Sequence, residues 1–182
     1  EGQVSVALKG NTRTNLVKSS DMNKDSNGDG IVDDFTEYPA IGCTFSFSNG
    51  QKVALTADGV EEESGGVAQN IPVNAGDIIS ASVDINFTVT AGSPAGYIRV
   101  RFFDANNTQL FDSQYIVDDN RTITTTGRKR LKLENLQAPA NTAYMRLEIF
   151  VRRNTTADRC EAIFNNAMVE KSSTAGSYIS SG

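Results

Sequence analysis

Residues 79 to 90 read Ile-Ser-Ala-Ser-Val-Asp-Ile-Asn-Phe-Thr-Val-Thr, an unbroken alternation of apolar and polar side chains. Extended chain sends successive side chains to opposite faces, so Ile79, Ala81, Val83, Ile85, Phe87 and Val89 share one side. Ser80, Ser82, Asp84, Asn86, Thr88 and Thr90 share the other. A helix of period 3.6 would scatter the same apolar groups around its cylinder and bury none of them together. One dry face and one wet face define an antiparallel strand at the surface of a layered β structure.

The same period governs the chain from residue 42 onward, and helix-period stretches are almost missing. Ala91-Gly92-Ser93-Pro94 is turn chemistry, after which Ile98, Val100 and Phe102 resume the inward row, so residues 79 to 102 are expected to form a hairpin. Cys43, Phe45 and Phe47 turn at Ser48-Asn49-Gly50 into Val53 and Leu55, a second expected hairpin. Leu131 and Leu133 mark a short strand; Met145, Leu147, Ile149 and Val151 a longer one; Cys160, Ala162 and Phe164 a last one before Met168. About eight strands joined by Gly, Asn and Pro turns imply an all-β fold, an antiparallel β-sandwich of two sheets. Residues 1 to 18 are expected to be an N-terminal arm or linker, 19 to 171 the sandwich, and 172 to 182 a weakly structured tail.

The length of 182 residues suffices for a full core without disulfide staples. Acidic residues outnumber basic ones 22 to 17, and the largest basic cluster is Arg128-Lys129-Arg130, so nucleic acid is not an expected partner. No apolar run is long enough to span a bilayer and the first residues do not read as a signal peptide, so no membrane insertion is expected. Histidine is absent, which removes the usual tunable base of neutral-pH hydrolysis and acyl transfer. Paired carboxylates would serve glycoside hydrolysis, but the acidic residues cluster in stretches that read as loops: residues 25 to 34, Glu61-Glu62-Glu63 and Asp118-Asp119. The chain is therefore expected not to be an enzyme, and no catalytic residue is assigned. Cys43 and Cys160 each fall on the apolar side of a strand, as a buried disulfide or as two inert core thiols.

Residues 25 to 34, Asp-Ser-Asn-Gly-Asp-Gly-Ile-Val-Asp-Asp, place oxygen ligands at alternate positions around a glycine turn. In a calcium loop of the EF-hand type, side chains at positions 1, 3, 5 and 9 and the carbonyl at position 7 face the ion, with glycine at position 6. Asp25, Asn27, Asp29, Asp33, the Ile31 carbonyl and Gly30 fill those places, while Thr36 replaces the bidentate glutamate and no helices flank the loop. A structural Ca²⁺ is the expectation; a solvated acidic turn is the alternative, since the same residues favour ordinary turns.

Asn15-Leu16-Val17 leads into this loop; Ile98 to Asp104 reads Ile-Arg-Val-Arg-Phe-Phe-Asp; Ala138-Pro139-Ala140-Asn141-Thr142-Ala143 precedes the strand at Tyr144; and Phe164 to Lys171 reads Phe-Asn-Asn-Ala-Met-Val-Glu-Lys. Across roughly residues 15 to 171 these phrases resemble the jelly-roll carbohydrate-binding modules, most of all those of bacteriophage and prophage tail and receptor-binding proteins. The resemblance implies a non-catalytic module that attaches a virion tail or secreted protein to a bacterial cell-surface polysaccharide, outside the cell. Two positions depart from it: Phe35 stands where such loops often carry tryptophan, and Val32 where they carry proline.

Sugar recognition needs aromatic faces and planar polar groups. Tyr97, Arg99, Arg101 and Phe103 lie on the outer side of one strand; Tyr144, Arg146, Glu148, Phe150 and Arg152 lie on the outer side of another. If the two strands are neighbours, they make a stripe of rings interleaved with guanidinium groups, suited to an anionic or phosphorylated polysaccharide. Tyr97, Arg99, Arg101, Tyr144 and Arg146 are the candidate ligand-binding residues. The same pattern also arises from cross-strand pairs that only stabilise a sheet, or from rings buried between sister chains of a homotrimeric fibre, the alternative function.

Overall fold

The computed structural model describes residues 13–38 and 42–181. Among them are eleven strands: β1 (Thr36–Tyr38), β2 (Cys43–Phe47), β3 (Gln51–Leu55), β4 (Ser64–Pro72), β5 (Ile78–Ala91), β6 (Ala95–Phe103), β7 (Gln109–Asp112), β8 (Thr122–Ile123), β9 (Gly127–Gln137), β10 (Tyr144–Arg152) and β11 (Arg159–Glu170). They form two antiparallel sheets, sheet A in the order β1-β4-β10-β6-β7 with β8 also paired to β6, and sheet B in the order β2-β3-β11-β5-β9. The expected all-β sandwich is what the chain adopts.

The alternating rows close the core. Ile79, Ala81, Val83, Ile85 and Phe87 of β5 face Ile98, Val100 and Phe102 of β6 and Met145, Leu147, Ile149 and Val151 of β10, all buried. Each buried aliphatic or aromatic side chain contributes about 1.5–3 kcal/mol of transfer free energy, which makes this double row the main source of cohesion. The wet side of β5 is less wet than its alternation implies. Ser80 and Ser82 are buried, Ser80 Oγ donating to the Ser172 carbonyl at 2.7 Å and Ser82 Oγ accepting from Arg130 at 2.8 Å.

Two expectations about connectivity meet different fates. The β2–β3 hairpin forms, with Cys43 opposite Leu55 and Phe47 opposite Gln51. The expected hairpin of residues 79 to 102 does not: β5 pairs with β11 and β9 in sheet B, while β6 pairs with β10, β7 and β8 in sheet A. Residues 92 to 94 carry the chain across the sandwich. Asp158 holds that crossing by accepting the Ser93 amide at 2.8 Å.

The segment expected to be an arm is partly outside the described residues, which begin at 13. From there to residue 18 it packs on the sandwich. Val17 is fully buried, Leu16 N donates to the Val169 carbonyl at 2.8 Å, and the Asn15 side-chain oxygen accepts from Val17 N and Val169 N. The residues after 171 are tied down as well: Asn15 Nδ2 donates to the Ile179 carbonyl at 2.9 Å, and Ser181 N donates to Ser20 Oγ at 2.9 Å.

Cys43 and Cys160 are both free, and the register shows why. Each lies opposite Leu55, one on either side of β3, so they are two strand spacings, about 9–10 Å, apart. A disulfide requires Cα atoms within about 7 Å.

Candidate functional site

The outer face of sheet A gathers the residues picked out from the sequence. β10 and β6 are direct neighbours, with Tyr144 opposite Phe103, Arg146 opposite Arg101, Glu148 opposite Arg99 and Phe150 opposite Tyr97. All five candidate residues therefore lie on one surface.

The surface is organised as two aromatic pairs with a charged middle. Tyr144 stacks on Phe103 with centroids 5.1 Å apart, and Tyr97 stacks on Phe150 at 5.4 Å. Tyr97 and Phe103 are six residues apart on β6, which separates the pairs by roughly 20 Å. Between them Glu148, with no exposure, accepts from Arg99 Nε at 2.6 Å and from Arg101 Nη2, while Arg146 Nη1 stands 3.9 Å away. Arg146 also lies over the Phe103 ring, 4.8 Å from its centroid, and Arg99 over Phe150 at 4.8 Å. Three guanidinium groups thus surround one carboxylate. Burial works against the charge of Arg99 but is outweighed by Glu148 and by the Tyr38 hydroxyl, which together raise its pKa above the ordinary value. Arg101 Nε is buried with no hydrogen-bond partner among the described residues.

The structure corrects one part of the stripe. Phe103 and Phe150 point outward but are buried at 7% and 4% exposure, covered by their tyrosine and arginine neighbours. No sister chain is needed to cover them. The rings left at the surface are the half-buried Tyr97, Tyr144 and Tyr38.

Two further tyrosines join this site, Tyr38 and Tyr115, which the sequence offers as loop residues able to bind but with nothing in their neighbours to single them out. Tyr38 ends the three-residue strand β1 and lies opposite Gly66 on β4. A Cβ at residue 66 would lie 2.5 Å from the Phe150 Cα, so glycine there gives Phe150 and Tyr38 the space to approach one another. Their centroids are 6.1 Å apart. Tyr115, 80% exposed, ends a short 3₁₀ turn that begins at the buried Ser113 and is capped by Asp112, whose side chain accepts the Gln114 amide at 2.8 Å. With Tyr38, Tyr97, Arg99, Arg121 and Phe150 it lines a cleft of about 400 Å³ at one end of the face. Neither residue sits in an alternating row, so periodicity carried no sign of them.

The residues expected to hold calcium are arranged by hydrogen bonds of their own. Asp25 Oδ1 and Oδ2 accept the Gly28 and Gly30 amides, each at 2.9 Å; Asp29 Oδ1 accepts the Ile31 amide at 2.8 Å; and Asn27 Nδ2 donates to Asp29 Oδ2 at 2.9 Å. Asp33 accepts the Ser26 hydroxyl and amide, which lower its pKa below the ordinary carboxylate value. Gly30 takes φ +86°, and a Cβ on it would stand 3.0 Å from the Phe45 carbonyl oxygen, so the loop lies directly against β2. The fully buried Gln51 anchors it, accepting the Val32 amide at 2.8 Å and donating to the Gly30 carbonyl at 2.9 Å. The oxygen donors are of the type a hard cation takes. Among the described residues, however, no three carboxylate or thiol side chains converge on a point that would hold a metal.

Comparison with known proteins places this geometry. No protein-family model matches the chain, and no curated protein matches it. Solved structures do. The enzymatically active domain of tailspike protein 4 of bacteriophage CBA120 superposes with a TM-score of 0.57 at 11% identity over 85% of this chain. The CBM22-1–GH10 modules of xylanase 10B of Clostridium thermocellum, complexed with xylohexaose, give 0.52 at 12% identity over 81% of this chain. A structure described as explaining the promiscuous specificity of carbohydrate-binding modules of the β-sandwich superfamily gives 0.51 at 12% identity over 78%. This chain spans 21%, 28% and 58% of the lengths of those three. The fold is that of the β-sandwich carbohydrate-binding modules. It is shared with a phage tailspike domain.

Proposed function

We propose that this chain is a non-catalytic carbohydrate-binding domain that holds a polysaccharide along the outer face of sheet A. The observation that carries the reading is the pair of stacked aromatic couples about 20 Å apart along β6 and β10, with the arginine cluster between them. Half-buried tyrosines offer ring faces to the apolar side of a sugar. With Arg99, Arg101 and Arg146 set against Glu148 and against Asp112, which lies opposite Arg101 on β7, the middle of the face keeps a net positive charge, which favours a glycan bearing carboxylate or phosphate groups. The unmet Arg101 Nε donor and the cleft at Tyr38 and Tyr115 support the same surface.

The polysaccharide in this reading belongs to a bacterial cell surface, and the owner of the domain is a phage tail or a secreted protein; the tailspike likeness in fold supports that placement. No helix among the described residues is long and apolar enough to cross a membrane. Calcium enters as a clamp on the loop, taken up by Asp25, Asn27, Asp29, Asp33 and the Ile31 carbonyl, with no part in chemistry. The oxygen-only donor set supports it.

Calorimetric titration with an acidic polysaccharide that the protein retains tests the site. Tyr97→Ala and Arg146→Ala are expected to weaken binding at least tenfold each. Retained affinity in both, with the fold intact by circular dichroism, refutes the assignment of this face.

A further inference from the structure

We propose that the outer face of sheet B carries a second, independent site that takes a neutral sugar residue. A groove of about 680 Å³ runs across β9, β5 and β11 there, within the size range of small-ligand sites. Its polar walls are Asp84 and Asn86 of β5, Arg128 and Arg130 of β9, and Asn165 and Asn166 of β11, and Ile163 supplies an apolar patch.

The groove is built by an irregularity in the sheet. Pairing of β11 with β5 runs to Asn165 opposite Asp84 and resumes at Met168 opposite Ser82, so Asn166 and Ala167 leave the ladder. Such bulges re-aim side chains. Here Ala167 goes fully into the core, while Asn166, at φ +55°, returns its amide to donate to Asp84 Oδ2 at 2.9 Å. Arg130 is fixed by three contacts: the Asn166 carbonyl at 2.6 Å, Ser82 Oγ at 2.8 Å and Asp84 Oδ1 at 3.1 Å. Asn165 is fixed by donating to the Asn49 carbonyl at 2.7 Å. Opposite one another beside this rigid cluster stand Asn86 and Arg128, whose side chains have no hydrogen-bond partner among the described residues.

That combination selects a class of ligand. Asn86 offers both a donor and an acceptor, and Arg128 a fork of donors, the planar groups that pair with neighbouring hydroxyls. Arg128, Lys129 and Arg130 line the groove with Asp84 and Asp21, but Lys129, opposite the core-facing Ile85, spends its ammonium on the Asp119 and Thr122 carbonyls outside the groove. The charges that face the groove are therefore balanced, and it lacks the cationic excess of the sheet A face. A hydroxyl-rich, uncharged ring fits; an acidic one has no net attraction. The two sites lie on opposite sides of one sandwich, so a domain with both can bridge two chains of a polysaccharide or two segments of one, with avidity beyond either site.

The test is a titration of the isotopically labelled protein with a panel of neutral gluco-, xylo- and galacto-configured oligosaccharides, following the side-chain amide resonances of Asn86 and Asn165. At least one oligosaccharide is expected to shift both, with affinity reduced at least tenfold in Asn86→Ala and in Arg128→Ala and unchanged in Arg101→Ala. The proposal is overturned if no oligosaccharide moves these resonances, or if the Asn165 shift persists at equal affinity in the Asn86→Ala, Arg128→Ala double variant. Because Arg101→Ala alters only the sheet A face, loss of one site is separable from loss of the other.

Discussion

Arg99 and Glu148 stand directly opposite one another on neighbouring strands, on the outward side of a sheet, yet the carboxylate has no exposure and the guanidinium Nε lies 2.6 Å from it. A buried ion pair of this kind contributes less by its attraction than it costs to break, because the surviving partner keeps its desolvation penalty. Glu148→Ala takes from Arg99 and Arg101 the carboxylate to which both donate. We expect it to lower unfolding free energy by about 3–5 kcal/mol in urea titrations. Arg101→Ala, at a partly exposed guanidinium, is expected to cost much less stability.

Gly66 tests the aromatic end of the face. A methyl group there would push against Phe150 and the β10 backbone, so Gly66→Ala is expected to displace the ring from Tyr97 and Tyr38. The readout is a loss of ordered tyrosine signal in near-ultraviolet circular dichroism, with a cost of about 1–3 kcal/mol for overpacking. Wild-type spectra and stability in the variant would contradict the packing described.

Acid stability depends on Asp158. It is fully buried, which disfavours its charge, but the Thr155 hydroxyl and the amides of Ser93, Thr155 and Asn154 outweigh burial and lower its pKa to about 2. A carboxylate lowered on folding stabilises the native state above its unfolded pKa of about 4, and that contribution is lost as pH falls through the folded value. Asp158→Asn is therefore expected to flatten the decline of stability between about pH 4 and pH 2. An unchanged slope would show that the β5–β6 crossing is held by other groups.

The thiols make a negative prediction. Burial raises both Cys43 and Cys160 to about 12, and the strand spacing keeps them apart. The native protein is expected to resist iodoacetamide at neutral pH and to show the same melting temperature with and without reductant, since the thiolate is the reactive form. A mass two hydrogens short of the fully reduced chain would contradict this.

Calcium is tested by removal. Added Ca²⁺ is expected to raise the melting temperature of chelator-treated protein, and Asp29→Ala to abolish the rise, since a ligand that binds only the folded state stabilises it by mass action. Equal midpoints with and without the ion would leave the loop as a turn closed by its own Asp and Asn side chains.

Much of this fold was legible because period-2 alternation reports burial directly. The rows of β5, β6 and β10 entered the core as read. β4 was not legible: Ser-Gly-Gly-Val-Ala-Gln-Asn-Ile-Pro carries Gly66 and Ala68 opposite Phe150 and Glu148, so the middle of its outer row is small and only Ser64 and Asn70 towards its ends are polar. The β5–β6 crossing was misread as a hairpin since Ala-Gly-Ser-Pro encodes a reversal and says nothing about which sheet receives the next strand. The five candidate residues came together because the outer rows of β6 and β10 are long enough to align. The burial of Phe103 and Phe150 was hidden, because alternation gives the side a residue faces and not what its cross-strand neighbours lay over it. Tyr38 and Tyr115 come from short elements whose positions depend wholly on tertiary contacts.

The central claim is that the sheet A face binds an acidic glycan through Tyr97, Arg99, Arg101, Tyr144 and Arg146. An array of bacterial surface polysaccharides, acidic and neutral, probed with wild-type protein and the folded Arg101→Ala variant tests it most directly. The account predicts retention of one or more acidic polysaccharides by the wild type, weakened at least tenfold in the variant and by raised salt. Retention of no acidic polysaccharide, or equal retention by both proteins, would contradict it.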